Sequence, residues 1–217
     1  KELPVIQAGL DRGRELFVKR SRDPETMAKF EASLLDNTKS GWSRLGAFDS
    51  KERSHVHDLF GFQMQWILPT FAFHQVAHVD SLEVLEAGAR SLNSAMGEFC
   101  ASDERLKAIG YIPLSLGPEI SIELMKKGFD DGCYTFMVDT NEPNPNNRSF
   151  THSDFDPIWA YFEKTKVPLV CHVAVNGHYR AVPKSFNNNG KDTLELGGDA
   201  PSGELGLMTI NSSAEIF

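Results

Sequence analysis

The chain has 217 residues, 41% of them hydrophobic and 24% charged, which is ordinary for one globular unit with a full core. A net charge of -8 weighs against a nucleic-acid binder that depends on a basic face, and no run approaches the roughly 18 apolar residues of a membrane span. Cys100, Cys133 and Cys171 are odd in number and far apart, so reduced thiols in a cytoplasmic setting are expected rather than a disulfide framework.

Residues 1–50 are the least regular part and read as an N-terminal elaboration or insertion, set apart from a main domain over 51–217. Arg12, Arg14, Lys19, Arg20 and Arg22 lie among acidic residues and predict a solvated face. Asp23-Pro24 opens a helix carrying Met27, Phe30, Leu34 and Leu35, and Gly41 to Gly46 reads as a loop. A helix is expected around 51–60, followed by a strand over 62–68 that Pro69 closes.

A regular alternation follows. Asp80 and Glu83 have capping-box spacing, and Leu85, Ala89, Leu92, Met96 and Phe99 recur three and four residues apart, predicting a helix to about Cys100. Next come a strand over 106–114, a helix from Pro118 that ends at Gly128, and a strand over 133–138. After the polar loop 139–149, a helix is expected with Asp156 as cap and Pro157 in its first turn, stopping before Pro168. Residues 167–173 then read as a short strand buried on both faces. Four strands separated by helices predict the α/β class with parallel strands, either an open doubly wound sheet or part of a barrel.

The strand-to-helix junctions carry no GxGxxG or GxxxxGK[ST], so no phosphate cradle is expected. Polar residues instead follow the strand ends: Thr70, Ser115, the trio Asp139, Thr140 and Asn141, and His172. That placement suits the mouth of a barrel, where loops after the strands share one pocket. Alternation leaves His172 facing either the interior or the helical layer. Other histidines compete less well. His55-Val56-His57 has the His-x-His spelling but sits in helix context, where residues two apart point about 200° apart. His74 and His78 are four apart, but they fall in an expected loop with no HExxH glutamate nearby. Asp154 and Asp156 resemble a carboxylate pair, which helix capping explains.

Four stretches in this order carry a resemblance: QMQWILPTF at 63–71, ARSLNSAMGEFCASDERLKAIGYIPL at 89–114, the run from Thr151 to Trp159, and VPLVCHV at 167–173. Together they resemble the amidohydrolase-related family of metal-dependent TIM-barrel enzymes, which includes aminocarboxymuconate-semialdehyde decarboxylase and resorcylate decarboxylase. The resemblance implies a (β/α)8 barrel of which this chain supplies about strands 2 to 5, an interior portion of a longer enzyme. It implies that His172 is a ligand of a divalent metal, zinc first and manganese second, with the catalytic residues and remaining ligands outside this chain. Asn141 and His178 become candidates to contact a small carboxylate-bearing substrate, and Arg180 could reach the same pocket. The implied activity is hydrolysis or non-oxidative decarboxylation by a cytoplasmic protein, with a homodimer as its assembly. The alternatives are a metal-free α/β protein that binds a small acid, and an incomplete chain with no activity of its own.

Overall fold

The computed structural model describes residues 3–35, 43–77, 79–139 and 152–172. The chain divides into two compact units: residues 1–65 with 99–106, and residues 66–98 with 107–217. The described residues hold seven α-helices and four strands. No helix among them is long and apolar enough to cross a membrane.

The first unit holds three helices, α1 (Leu3–Arg22), α2 (Pro24–Ala32) and α3 (Ser50–Phe60). Where the sequence reads as irregular, α1 is a continuous helix of 20 residues. Gly9 and Gly13 blur its pattern, yet Leu10, Gly13, Leu16, Phe17 and Arg20 fall three and four apart and are its covered positions. Arg20 therefore departs from the solvated face on which Arg12, Arg14, Lys19 and Arg22 do lie. It is 1% exposed and forms a forked ion pair with the buried Glu52 of α3, its Nη2 donating to Oε2 at 2.6 Å. Its remaining donors reach the Ser43 and Arg44 carbonyls at 3.1 Å, and Glu52 also accepts the Gly46 N–H at 2.6 Å. A buried charge pair is tolerated only when its polar atoms are satisfied in this way. Asp23 caps α2 through the Glu25 N–H, as its spacing predicts, although the helix stops at Ala32 and leaves Leu35 exposed. Asp49 caps α3, which ends on the left-handed Gly61.

The second unit carries most of a four-stranded parallel sheet of order β1-β2-β3-β4. The strands are β1 (Gln65–Ile67), β2 (Leu106–Tyr111), β3 (Cys133–Asp139) and β4 (Leu169–His172), separated by α4 (Thr70–Ala77), α5 (Leu82–Cys100), α6 (Pro118–Asp130) and α7 (Asp156–Thr165). β1 is shorter than the expected 62–68, and β2 stops before 114. Residues 70–77, expected as loop, form α4. The Phe73 N–H closes its first turn on the Pro69 carbonyl at 2.7 Å. α5 is capped by Ser81 rather than Asp80: its hydroxyl accepts from the Val84 N–H at 3.3 Å and its carbonyl from Leu85 at 2.9 Å. α6 runs through Gly128 to Asp130, because Gly128 serves close packing and the left-handed residue is Gly132. Asp156 is the first residue of α7 rather than its side-chain cap, preceded by a 3-10 turn over Ser153–Phe155 whose first N–H groups include one taken by His152. Lys166, in the left-handed region at φ 59°, ends α7 two residues before Pro168.

One core lies between the sheet and α6 and α7. It joins Phe136 and Val138 of β3 to Met125 of α6 and Ile158 and Phe162 of α7, with Leu169 of β4 packed against them. α5 is fastened to β2 by Asn93, whose amide donates to the Tyr111 carbonyl at 3.1 Å and accepts from the Tyr111 N–H at 2.6 Å. The side chain thus does for β2 what a neighbouring strand would do.

Candidate functional site

Sheet register decides which way His172 faces. β3 and β4 pair in parallel as Phe136 with Leu169, Met137 with Val170, Val138 with Cys171, and Asp139 with His172. Partners in register project to one face, and successive residues alternate. Since Phe136 and Val138 face the helical core, Met137, Asp139, Val170 and His172 lie on the opposite face of the sheet. Ile109 and Tyr111 of β2 join them, in register with Thr135 and Met137. β3 reaches this register through a bulge: Ala108 opposes Cys133 and Ile109 opposes Thr135, so the exposed Tyr134 is the extra residue.

His172 therefore stands on the face away from α6 and α7, at the C-terminal end of its strand, half-buried. Asp139 stands beside it at the end of β3 and is 1% exposed. The Phe73 ring of α4 lies against both His172 and Tyr111, with centroids 4.8 Å from each, and both Phe73 and Tyr111 are fully buried. Thr135, further back on this face, gives its hydroxyl proton to the Pro168 carbonyl. The arrangement is an imidazole next to a carboxylate, walled by aromatic rings, at the sheet edge where parallel α/β proteins bind ligands.

An imidazole and a carboxylate are suitable donors for zinc or manganese, but their number falls short. Among the described residues no group of three or more His, Cys, Asp or Glu could hold a metal ion, whereas catalytic zinc takes about three protein ligands. A metal at His172 would need ligands beyond them.

The other sequence candidates fall elsewhere. Asn141, His178 and Arg180 lie outside the described residues. His55 and His57 are on α3, as helix context predicts, and diverge: His55 Nε2 pairs with Glu31 at 2.6 Å, whereas His57 is fully buried against the Phe62 ring. His74 is on α4 rather than in a loop. Asp154 sits 3.5 Å from His152 Nδ1 at the start of the turn before α7, in keeping with a local role. Burial pushes the Cys100 thiol up to about 11 despite the Arg53 guanidinium nearby.

Sequence reasoning placed Asp139 among the polar residues after the third strand but could not pair it with His172, because the register of β3 against β4 joins residues 33 apart and neither strand carries a local signal for it. Phe73 was hidden because its segment read as loop. No family model matches the chain, and no curated protein matches it.

Proposed function

We propose that this chain forms part of the active-site side of a metal-dependent hydrolase or non-oxidative decarboxylase of the amidohydrolase-related type, with His172 as one metal ligand and a small carboxylate-bearing substrate. The four parallel strands would be the second to fifth of a (β/α)8 barrel. The observation that carries the reading is the position of His172: the C-terminal end of a strand, on the face away from the helical layer, beside a buried carboxylate. A bound divalent metal would polarise a substrate carbonyl or carboxylate, or make hydroxide available near neutral pH. Phe73 packs against one side of the imidazole and is itself backed by Tyr111, which fixes the position of the ring at the strand end.

The test is metal content. After dialysis against zinc or manganese, the full-length enzyme that carries this chain is expected to retain about one metal ion per subunit, as a single catalytic site requires, and the same enzyme with His172→Ala is expected to lose it. Failure of the unaltered protein to retain a metal, or equal retention by His172→Ala, would overturn the proposal. Binding of an aromatic acid that survives a strong chelator would favour the metal-free binding protein instead.

A further inference from the structure

We infer that the C-terminal end of α3 is an acid-sensitive latch, in which the neutral ring of His57 seats Phe62 and a proton taken up by that ring releases the turn over residues 57–62. Two backbone bonds close this turn around Gly61, which lies in the left-handed region at φ 66°. The Phe62 N–H donates to the His57 carbonyl at 3.4 Å and the Gly61 N–H to the Asp58 carbonyl at 3.0 Å. Closures of this kind frequently carry an apolar contact between the two residues of the outer bond. Here one side of that contact is an imidazole. The His57 and Phe62 rings meet with centroids 6.0 Å apart and 81° between their planes, and Phe60 stacks on Phe62 at 5.1 Å. His57 is 0% exposed whereas Phe62 is 46% exposed, so part of the cover over the imidazole is a surface ring that the turn holds in place.

Neither ring nitrogen of His57 has a hydrogen-bond partner among the described residues. The charged groups around it are committed elsewhere. Arg53, one turn earlier on α3, gives its Nε proton to the Gly46 carbonyl at 2.8 Å and has the Cys100 thiol nearby. Glu52 is taken by Arg20 and the Gly46 N–H, Asp58 by Arg105 at 2.7 Å, and His55 by Glu31 at 2.6 Å. A proton on His57 would therefore make a buried cation with no acceptor, one helical turn from the Arg53 cation. The negative end of the helix dipole favours a cation in the last turn of α3, but by several times less than burying an unpaired one costs. Opening the turn brings the ring into water, where it takes up the proton. The open form thus holds the additional proton, so closure is strongest above the ordinary histidine value of about 6.5 and weakens as pH falls below it. The latch belongs to α3 and its turn and is independent of the reading of His172.

The experiment is amide hydrogen exchange of the full-length protein that carries this chain, between pH 5 and 8, with each rate set against the free-peptide rate at the same pH. Protection of Gly61 and Phe62 is expected to fall about tenfold for each pH unit below about 6.5, as the uptake of one proton requires. The Arg53 amide, bonded to the Asp49 carbonyl at 2.9 Å at the other end of the same helix, is expected to stay level. His57→Phe keeps a ring against Phe62 and removes the titrating group, so protection in this variant should be independent of pH; His57→Leu decides if His57→Phe does not fold. His55→Gln is expected to retain the slope. Protection of Gly61 and Phe62 that ignores pH in the unaltered protein would overturn the inference. A slope that survives His57→Phe or His57→Leu, or one abolished by His55→Gln, would overturn it as well. An equal slope at Arg53 would place the effect on the whole helix and rule out a latch at its end.

Discussion

Single side chains in this molecule act by satisfying several backbone or charged groups at once. Asp103 shows this on the turn that leads into β2. Its carboxylate receives Arg105 Nε at 3.0 Å, Arg105 Nη2 at 2.7 Å and the Arg105 N–H at 3.0 Å, and its own carbonyl accepts the Leu106 N–H at 2.9 Å. The Arg105 side-chain hydrogen bonds, ahead of any other cause, hold the Asp103 carboxyl well below the usual carboxylate range. A carboxyl depressed in the folded state stabilises fully above its ordinary value of about 3.9, and the benefit fades as pH falls toward the folded value. Asp103→Asn is therefore expected to lower the melting temperature at pH 7, and its deficit should shrink on acidification below about pH 4. Thermal unfolding across that range checks it. A deficit independent of pH would mean that the turn geometry matters and the charge does not.

Among the elements, Gly61 marks a helix end, whereas Gly110 and Gly128 mark contacts. Gly128 lies inside α6, where an alanine would ordinarily gain up to about 1 kcal/mol of helix propensity. A Cβ there would meet the Phe136 ring at 2.5 Å, and at Gly110 of β2 the same ring at 2.6 Å. Phe136 is fully buried, so it has nowhere to retreat. Gly128→Ala is expected to destabilise by about 1–3 kcal/mol, the usual cost of overpacking. Adding Phe136→Leu should recover part of the loss, and denaturant titration of the single and double variants measures it.

The same positions explain what was legible in the sequence. Pro157, Ile158, Phe162 and Pro168 announced α7 and the strand after it, because apolar period and proline are local signals. Asp23 and the 51–60 pattern were equally plain. Gly128 was misleading, since a glycine near two lysines reads as a helix end unless the ring that fills its empty side is known. α1 was missed because its covered face includes glycines and an arginine, whose burial makes sense only with Glu52 present 32 residues away. The pairing of Asp139 with His172 was invisible for the same kind of reason.

At the scale of the molecule, the α/β order of elements and the four-stranded parallel sheet agree with the class expected from the alternation of strands and helices. The inner face of that sheet gathers residues from β2, β3, β4 and α4, which are scattered from Phe73 to His172 in the chain. The Asn93 clamp on Tyr111 belongs to this scale, because it couples the docking of a helix to the backbone of a strand. In hydrogen–deuterium exchange the Tyr111 amide should be protected like that of a central strand, yet its protection should report the seating of α5. Asn93→Leu would leave both Tyr111 backbone groups buried without their partner, at about 1–3 kcal/mol for each. That amide should then exchange much faster, while the Ile112 amide, bonded to the Met137 carbonyl at 3.0 Å, keeps a larger share of its protection. Exchange at two adjacent residues would thus time two separate events, the arrival of a helix and the pairing of strands.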